Sequence, residues 1–306
     1  MSEDLLNTKE AAQYLGVHEK QLYMLIKEKR IPATRVTGKW IFPRKLLDEC
    51  IETDARRNLG KARERARKAE GALLGAGSDD PVLALLAGEL RKSGPPETVL
   101  FLASIGSTEG LKALNRGDVD LSFSHLFDPA TGEYNLPFLP RLVPDRAVAA
   151  VNLFRREIGF VVAPGNPKRV RAFKDLGKRG LRLVNRQAGS GTRVLLEQEL
   201  AKAGVSTKAI AGWDREASTH YEVALAVHAG EADVGLASAS VAGLTGLGFV
   251  PLREERFDMV LDRSIFFERR FQSLLDRLTS TTFRESVSRM RGYDFRDCGT
   301  VLTREP

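Results

Sequence analysis

The 306-residue sequence contains only two cysteines, Cys50 and Cys298, far apart in the chain. Neither falls in a metal-ligand spacing, which argues against a disulfide framework or a zinc module and fits a reducing compartment. Long apolar runs are missing as well, and the opening "MSEDLLNTKEAAQYLG" is acidic with no apolar stretch. Neither a membrane span nor a secretion signal is therefore expected, and a cytoplasmic location is. Histidine is scarce: His18, His125, His220 and His228 are scattered. No Ser-His-Asp order and no pair of carboxylates in an apolar setting can be made out. His220 and Glu222, two residues apart on a helix, point to different faces. The chain is read as a non-enzyme with no cofactor and no metal.

What the chain does have is an uneven basic charge. It carries 47 Lys+Arg against 40 Asp+Glu. Met1 to Glu70 holds 16 of the former and 11 of the latter, so most of the surplus lies in the first quarter. Such asymmetry points to a nucleic-acid-binding end.

The segment "LLNTKEAAQYLGVHEKQLYMLIKEKRIPATRVTGKWIFPRKLLDECIE" reads as two short helices, a wing and a third helix. Thr8 is a candidate N-cap, Gly16 ends the first helix and Glu19 starts the second. An extended pair turns at Thr37-Gly38, and a helix follows Pro43. Two short helices joined by a Gly-containing turn are the mark of a helix-turn-helix. The text "T-x-x-E-A-A-x-x-L-G-V", the Ile31-Pro32 step and the "G-x-x-x-F-x" wing resemble the excisionase-type winged helix-turn-helix, a relative of the MerR-like readers. Lys29-Arg30 stands where that family usually has a glycine. The resemblance implies that Lys20, Gln21, Tyr23, Met24 and Lys27 enter the major groove of operator DNA. It implies that Arg35, Lys39 and Trp40 of the wing meet the backbone or minor groove. The plain alternative is a small helical domain with solvated lysines and a Trp40 that only packs the wing. The domain is placed at 1–55, followed by a basic helical linker at 56–70.

From Gly71 onward, short apolar runs alternate with helical patterns. "GALLGAG", "VLFLASI", "DLSFSHL", "AVAAVNLF", "IGFVVAP", "LRLVNR", "ADVGLAS" and "GFVPLRE" read as strands. This alternation predicts an α/β architecture with largely parallel sheets. Three strand ends share glycines and hydroxyls at the turn into a helix: "GAGSDDP" with Ser78, "SIGSTEG" with Ser107 and Thr108, and "NRQAGSGTR" with Ser190, Gly191, Thr192 and Arg193. Thr219 opens a fourth helix. Glycines let backbone N–H groups approach a ligand, and helix N-termini offer unpaired donors, which suits an oxyanion or a carboxylate. Each hydroxyl alone has the simpler reading of a helix cap, and Thr219 with Glu222 fits a capping box. Asp80 before Pro81 reads as an N-cap turned into its own helix, leaving Ser78 to face the ligand. Arg193, at a helix start, is the better candidate for a charge-assisted pair. Arg186 is given the lesser role of pairing with a carboxylate. His125 is placed at the cleft, with a structural hydrogen bond as its alternative.

The stretches "GSTEGL", "SHLFDPATGEYN", "VNLFRREIGFVVAPGNP", "VNRQAGSGTR" and "PL-EERFDMVL" resemble the type 2 periplasmic-binding-protein superfamily. The likeness is to its cytoplasmic, molybdate- or tungstate-related branch fused behind a helix-turn-helix. The expected fold class is therefore α/β: a winged helix-turn-helix followed by a two-lobed domain at 71–306. Lobe 1 is placed at about 71–152 and 255–306 and lobe 2 at about 157–250, with crossovers near Asn152–Glu157 and Pro251–Glu255. The resemblance implies a one-component transcription regulator with operator DNA and a small oxyanion as partners. Molybdate or tungstate would be the bound effector, and the regulator a homodimer. Sulfate, phosphate or a small carboxylate as ligand, and an enzyme of molybdenum-cofactor metabolism on the same scaffold, are the alternatives.

Overall fold

The computed structural model describes residues 4–53, 71–92 and 98–302. The linker expected at 56–70 lies outside the described residues. The chain divides into two compact units, Met1–Ala69 and Glu70–Pro306.

In the first unit, α1 (Thr8–Tyr14) and α2 (Glu19–Lys27) are joined through Gly16, whose φ of +66° suits a residue without Cβ. The cap of α1 is Asn7 rather than Thr8. The Asn7 side chain accepts from the Glu10 N–H, and the Glu10 carboxylate accepts from the Asn7 N–H. The glutamate three residues on completes the box and so fixes the start one residue earlier. β2 (Thr34–Val36) and β3 (Lys39–Pro43) form the wing. Thr37 and Gly38 between them both have positive φ, the backbone of a tight hairpin. β1 (Leu5–Leu6) pairs with β3, and residues 44–53 form α3. Ala11, Ala12, Leu22, Phe42 and Leu47 make the core, which leaves the opposite face of α2 to solvent.

In the second unit one ten-stranded sheet runs β5-β4-β6-β11-β7-β10-β8-β9, with β12 and β13 added on β7. The strands are β4 (Ala72–Gly77), β5 (Val99–Ser104), β6 (Leu121–Ser124), β7 (Val148–Val162), β8 (Leu183–Arg186), β9 (Glu216–Ala217), β10 (Val234–Ser238), β11 (Gly248–Asp262), β12 (Tyr293–Asp294) and β13 (Val301–Leu302). Pairing is parallel at both ends, β5-β4-β6 and β10-β8-β9, but antiparallel in the middle, where β7 and β11 lie side by side. The expectation of a largely parallel sheet therefore holds only at its ends.

β7 and β11 explain the difference. "AVAAVNLF" and "IGFVVAP" were expected as two strands, yet they form one strand of 15 residues. The charged Arg155-Arg156-Glu157 interrupts the apolar run without ending the strand. Arg156 lies opposite Glu255 of β11, and its Nε donates to Glu255 Oε1 at 2.8 Å. Charge matched across the ladder costs the strand little.

Helices flank the sheet: α4 (Pro81–Lys92), α5 (Ser107–Arg116), α6 (Leu139–Leu142), α7 (Gly191–Lys202), α8 (His220–His228), α9 (Ala239–Leu244), α10 (Arg269–Thr279) and α11 (Thr281–Ser288). The buried apolar clusters sort by sequence. Two draw on residues 73–154 and 257–287, and two others on 160–242. These are two lobes with separate cores, and β7 and β11 cross from one to the other.

Candidate functional site

Four helices, α4, α5, α7 and α8, begin at the junction of the lobes. The first lobe contributes the loops at Ser78–Asp80 and Gly106–Thr108, and the second those at Gly189–Thr192 and Ser218–His220. The loops touch. Thr108 N–H donates to Gly189 O at 3.3 Å, and a Cβ built on Gly106 would lie 3.4 Å from Ser190 Cα. A Cβ on Gly191 would fall 2.6 Å from His125 Cε1, so only glycine allows this approach. The lobes are closed on each other.

Ser78, Ser107, Ser190 and Thr192 are buried here, and the hydroxyls do different work. Ser78 Oγ and Ser107 Oγ share a 3.0 Å hydrogen bond, and His125 N–H donates to Ser107 Oγ. Ser190 caps α7 by accepting from the Arg193 N–H at 3.2 Å. Thr219 caps α8 by accepting from Glu222 N–H, while Ser218 N–H donates to the Glu222 carboxylate. Thr108 and Thr219 are half-buried. Thr192 Oγ1 is buried and has no hydrogen-bond partner among the described residues.

Beneath the hydroxyls lies a charged floor. Arg156, 1% exposed, donates through Nη1 to Asp80 Oδ2 at 2.6 Å as well as to Glu255. Asp80 also accepts from Tyr293 Oη and from the Val82 N–H. Asp80 thus caps α4 and also anchors the floor. His125 Nδ1 lies 3.0 Å from Glu255 Oε2. Burial alone would raise the pKa of Glu255, but His125 and Arg156 outweigh it and hold the carboxyl at about 2. Asp80 has one cation against it rather than two, and there burial prevails and its pKa is raised.

Arg156 Nη2 lies 3.1 Å from His220 Nε2. A guanidinium only donates, so Nε2 accepts and the proton of a neutral His220 sits on Nδ1. Burial first, and then Arg186, Arg156 and His125, push the pKa of His220 well below the usual value and keep it neutral. His220 Nδ1 is buried without a partner among the described residues, and so are Arg186 Nε and Nη1. Arg186 Nη2 donates to Asp79 Oδ1 at 2.8 Å, and the His220 N–H donates to Asp79 Oδ2 at the same distance. Asp79 of the first lobe thus ties together two donors of the second.

Three side chains lie other than expected. Arg193 was expected to face the ligand, but its Nε donates to Glu197, its Nη1 to Arg186 O, and its guanidinium stacks 4.1 Å from the Trp213 ring centroid. The salt bridge four residues along its own helix and the indole draw it away. Arg186, expected only to pair with a carboxylate, does so and also keeps two buried N–H groups unpaired. Ser78 was expected to be the sole member of its loop facing the cleft, yet Asp79 reaches across to Arg186 and the His220 N–H, while Asp80 caps its own helix as expected and also holds Arg156 of the crossover strand. Arg156, Asp79, Glu255 and Tyr293 were not singled out beforehand. Charged clusters inside both crossover strands, "FRRE" and "REER", were the available signal.

On the first unit, Lys20, Gln21, Tyr23, Met24 and Lys27 are all exposed on α2, with Tyr23 and Met24 about half so. Gln21 Oε1 accepts from the His18 N–H at 3.2 Å and helps to start the helix. Arg35 and Lys39 are exposed on the wing. Trp40 is half-buried against the core, with the Arg35 guanidinium 5.3 Å from its ring centroid.

Residues 87–279 match the PBP superfamily domain, well over half of the chain. The chain belongs to the PBP superfamily. Residues 5–54 match a helix-turn-helix domain. The protein named uncharacterized protein YvgK of Bacillus subtilis (strain 168) is 32% identical over 197 residues, covering 64% of this chain. The chain spans 63% of that relative's length. Among solved structures, the PBP-superfamily unit is similar to a putative phosphate ABC transporter substrate-binding protein with bound phosphate from Clostridium perfringens. That match has 16% identity, a TM-score of 0.53, and covers 72% of this chain and 98% of that one. It is also similar to the sulfate-binding protein SubI of Mycobacterium tuberculosis H37Rv, with 15% identity, a TM-score of 0.51, and 72% and 85% coverage. At such identities the likeness is one of fold. Among the described residues no helix is long and apolar enough to cross a membrane, and no group of His, Cys, Asp and Glu is placed to hold a metal ion.

Proposed function

We propose that the protein is a ligand-responsive one-component transcription regulator. Its first unit binds operator DNA, and its second senses a small, fully ionised oxyanion, molybdate or tungstate. The observation that carries the ligand class is a group of buried polar atoms on the second-lobe loops that have no hydrogen-bond partner among the described residues: Arg186 Nε and Nη1, His220 Nδ1 and Thr192 Oγ1. Unmatched buried donors each cost about 1–3 kcal/mol, and an anion that brings only acceptors relieves that cost. The carboxylates point the same way. Both oxygens of Asp79, Asp80 and Glu255 are engaged by Arg, His, Tyr or backbone partners. A ligand that must donate a hydrogen bond, as protonated phosphate does at neutral pH, meets carboxylate oxygens that are already engaged.

Arg156 and Arg186 are matched by these carboxylates, so the site is not a pool of positive charge. The grip comes from N–H groups and the starts of four helices. Within the class of deprotonated oxyanions, the choice of molybdate or tungstate rests on the sequence resemblance. Two copies would set two winged units on paired half-sites.

Thermal unfolding with a panel of oxyanions tests the ligand. Molybdate or tungstate at about 100 times its dissociation constant should stabilise by about 2.7 kcal/mol. If both leave the midpoint unmoved while phosphate or an organic acid raises it, the assignment is wrong. Operator binding measured with and without the anion then tests the regulator, and no turnover of the ligand should accompany it.

A further inference from the structure

We infer that a face built by residues 166–182 of the second lobe binds the phosphate backbone of DNA. The choice of DNA among polyanions rests on the regulator reading above. From Lys168 to Arg182 the sequence "KRVRAFKDLGKRGLR" holds seven Lys or Arg and one Asp. The rest of residues 71–306 carries 24 Lys+Arg against 28 Asp+Glu. Outside this stretch the PBP-superfamily unit is therefore acidic on balance, and its positive charge is gathered in one place. A single-sign basic cluster on one face is the electrostatic footprint of a polyanion site.

The segment is held rather than loose. Val170, Leu176 and Leu181 are buried in the core of the second lobe and Phe173 packs against it, while all seven Lys and Arg are exposed. The Asn166 side chain accepts from the Val170 N–H at 2.9 Å and donates to Val170 O at 2.8 Å, which closes a turn around Lys168 and Arg169. Lys168 Nζ donates to Gly180 O at 3.4 Å and Lys178 Nζ to Arg169 O at 3.0 Å. These two bonds bring the ends of the segment together into one knob. Arg169 has a φ of +51°, a left-handed backbone that glycine or asparagine adopts more easily. An arginine kept there at a conformational cost points to a use for its side chain.

The one acid within the segment is already engaged. Asp175 accepts from the Arg171 and Ala172 N–H groups and pairs with Lys178, and Arg182 pairs with Asp233. Arg169, Arg171, Lys174 and Arg179 form no ion pair among the described residues. Four exposed cations without an internal partner, three of them guanidinium forks, suit the phosphate oxygens along a duplex. Each phosphate they neutralise releases counterions, so this face adds affinity without reading sequence.

Fluorescence anisotropy of the full chain with a mixed-sequence DNA duplex of about 40 base pairs, at salt from about 50 to 300 mM, tests the assignment. A variant carrying Arg169→Gln, Arg171→Gln, Lys174→Gln and Arg179→Gln should bind at least about 30-fold more weakly near 100 mM salt. Its slope of log affinity against log salt should be shallower by about 2 to 3. Its thermal midpoint should match that of the wild type, showing that it folds. An unchanged affinity and slope overturn the proposal. A wild type that ignores the duplex overturns it as well, and binding to anionic phosphatidylglycerol vesicles through the same residues would then name a membrane as the partner. The regulator is read separately. Duplex affinity that falls with Lys20→Ala and Lys27→Ala but not with the four cations removes this face and leaves the regulator standing. Affinity that falls with the four cations, in a chain whose thermal midpoint no oxyanion moves, keeps the face and removes the sensor.

Discussion

In the proposed regulator the junction of the lobes and the outer face of α2 both meet negative charge, and they are built by opposite means. At the junction, Arg186, His220 and Thr192 are at most 2% exposed and held by neighbours far away in sequence. On α2 and the wing, Lys20, Lys27, Arg35 and Lys39 are exposed side chains on a small independent core. A buried donor set works at short range, by geometry, and is little screened by salt. Exposed lysines act at longer range and lose their pull as salt rises. In the proposed regulator one region discriminates and the other attracts.

The sharpest way to break this contrast is at the two arginines of the "NRQAGSGTR" loop. Arg186→Ala should weaken molybdate binding by more than about 100-fold in calorimetry, since it removes buried N–H groups and leaves Asp79 without its charged partner. Arg193→Ala, which removes the pair with Glu197, a bond to Arg186 O and the stack on Trp213 but none of the unpaired N–H groups, should lose no more than about 10-fold. Equal losses would return the ligand to Arg193. Next in size is Gly191→Ala, whose new methyl would meet the His125 ring. Alanine at a helix start does not harm the helix. Anion affinity should therefore fall about 10-fold or more, and the thermal midpoint at saturating anion should drop more than the ligand-free one. A variant that binds normally shows that the lobes need not approach this closely.

Acid sharpens the contrast further. The folded-state pKa of His220 lies below its unfolded value, so the unfolded chain takes up the extra proton. Stability contributed by the neutral ring is complete above about pH 6.5 and is lost as pH falls below it, with a slope of up to about 1.4 kcal/mol per unit. The carboxylate of Glu255 adds a second loss between about 4.5 and about 2. His220→Gln should flatten the first limb of midpoint against pH, and an unchanged slope would mean that His220 is not held neutral. The smallest effects are expected on α2. Lys20→Ala and Lys27→Ala should each lower the slope of log affinity for DNA against log salt by about 1. Molybdate affinity should not change. A shift in anion binding from either lysine would erase the division between the regions.

The first unit was legible almost to the residue, because its signals are local. A glycine ends one helix, a Thr37-Gly38 turn makes the wing, and the apolar spacing of α2 fixes its buried side. The cap moved from Thr8 to Asn7 since both residue types serve and Glu10 decided between them. In the second unit the strand ends and the hydroxyl loops were legible too. Their use was not. Ser190 and Thr219 are spent on capping, while Arg186 is turned inward by Asp79, 107 residues away. Arg156 meets Asp80, Glu255 and His220 from three other segments, and no spacing rule joins those. One clue was available: Glu197 four residues after Arg193 foretells a pair on the outside of α7.

Arg156 and Glu255 face each other in register on the two strands that tie the lobes together, and irregularities in β11 bracket the pair at Pro251/Arg253 and Phe257/Asp258. Each also reaches a histidine of a different lobe, Arg156 to His220 and Glu255 to His125. In the proposed sensor, fulcrum and ligand floor are therefore the same atoms. A load placed at a fulcrum travels almost nowhere, while the far rims of both beams sweep a wide arc.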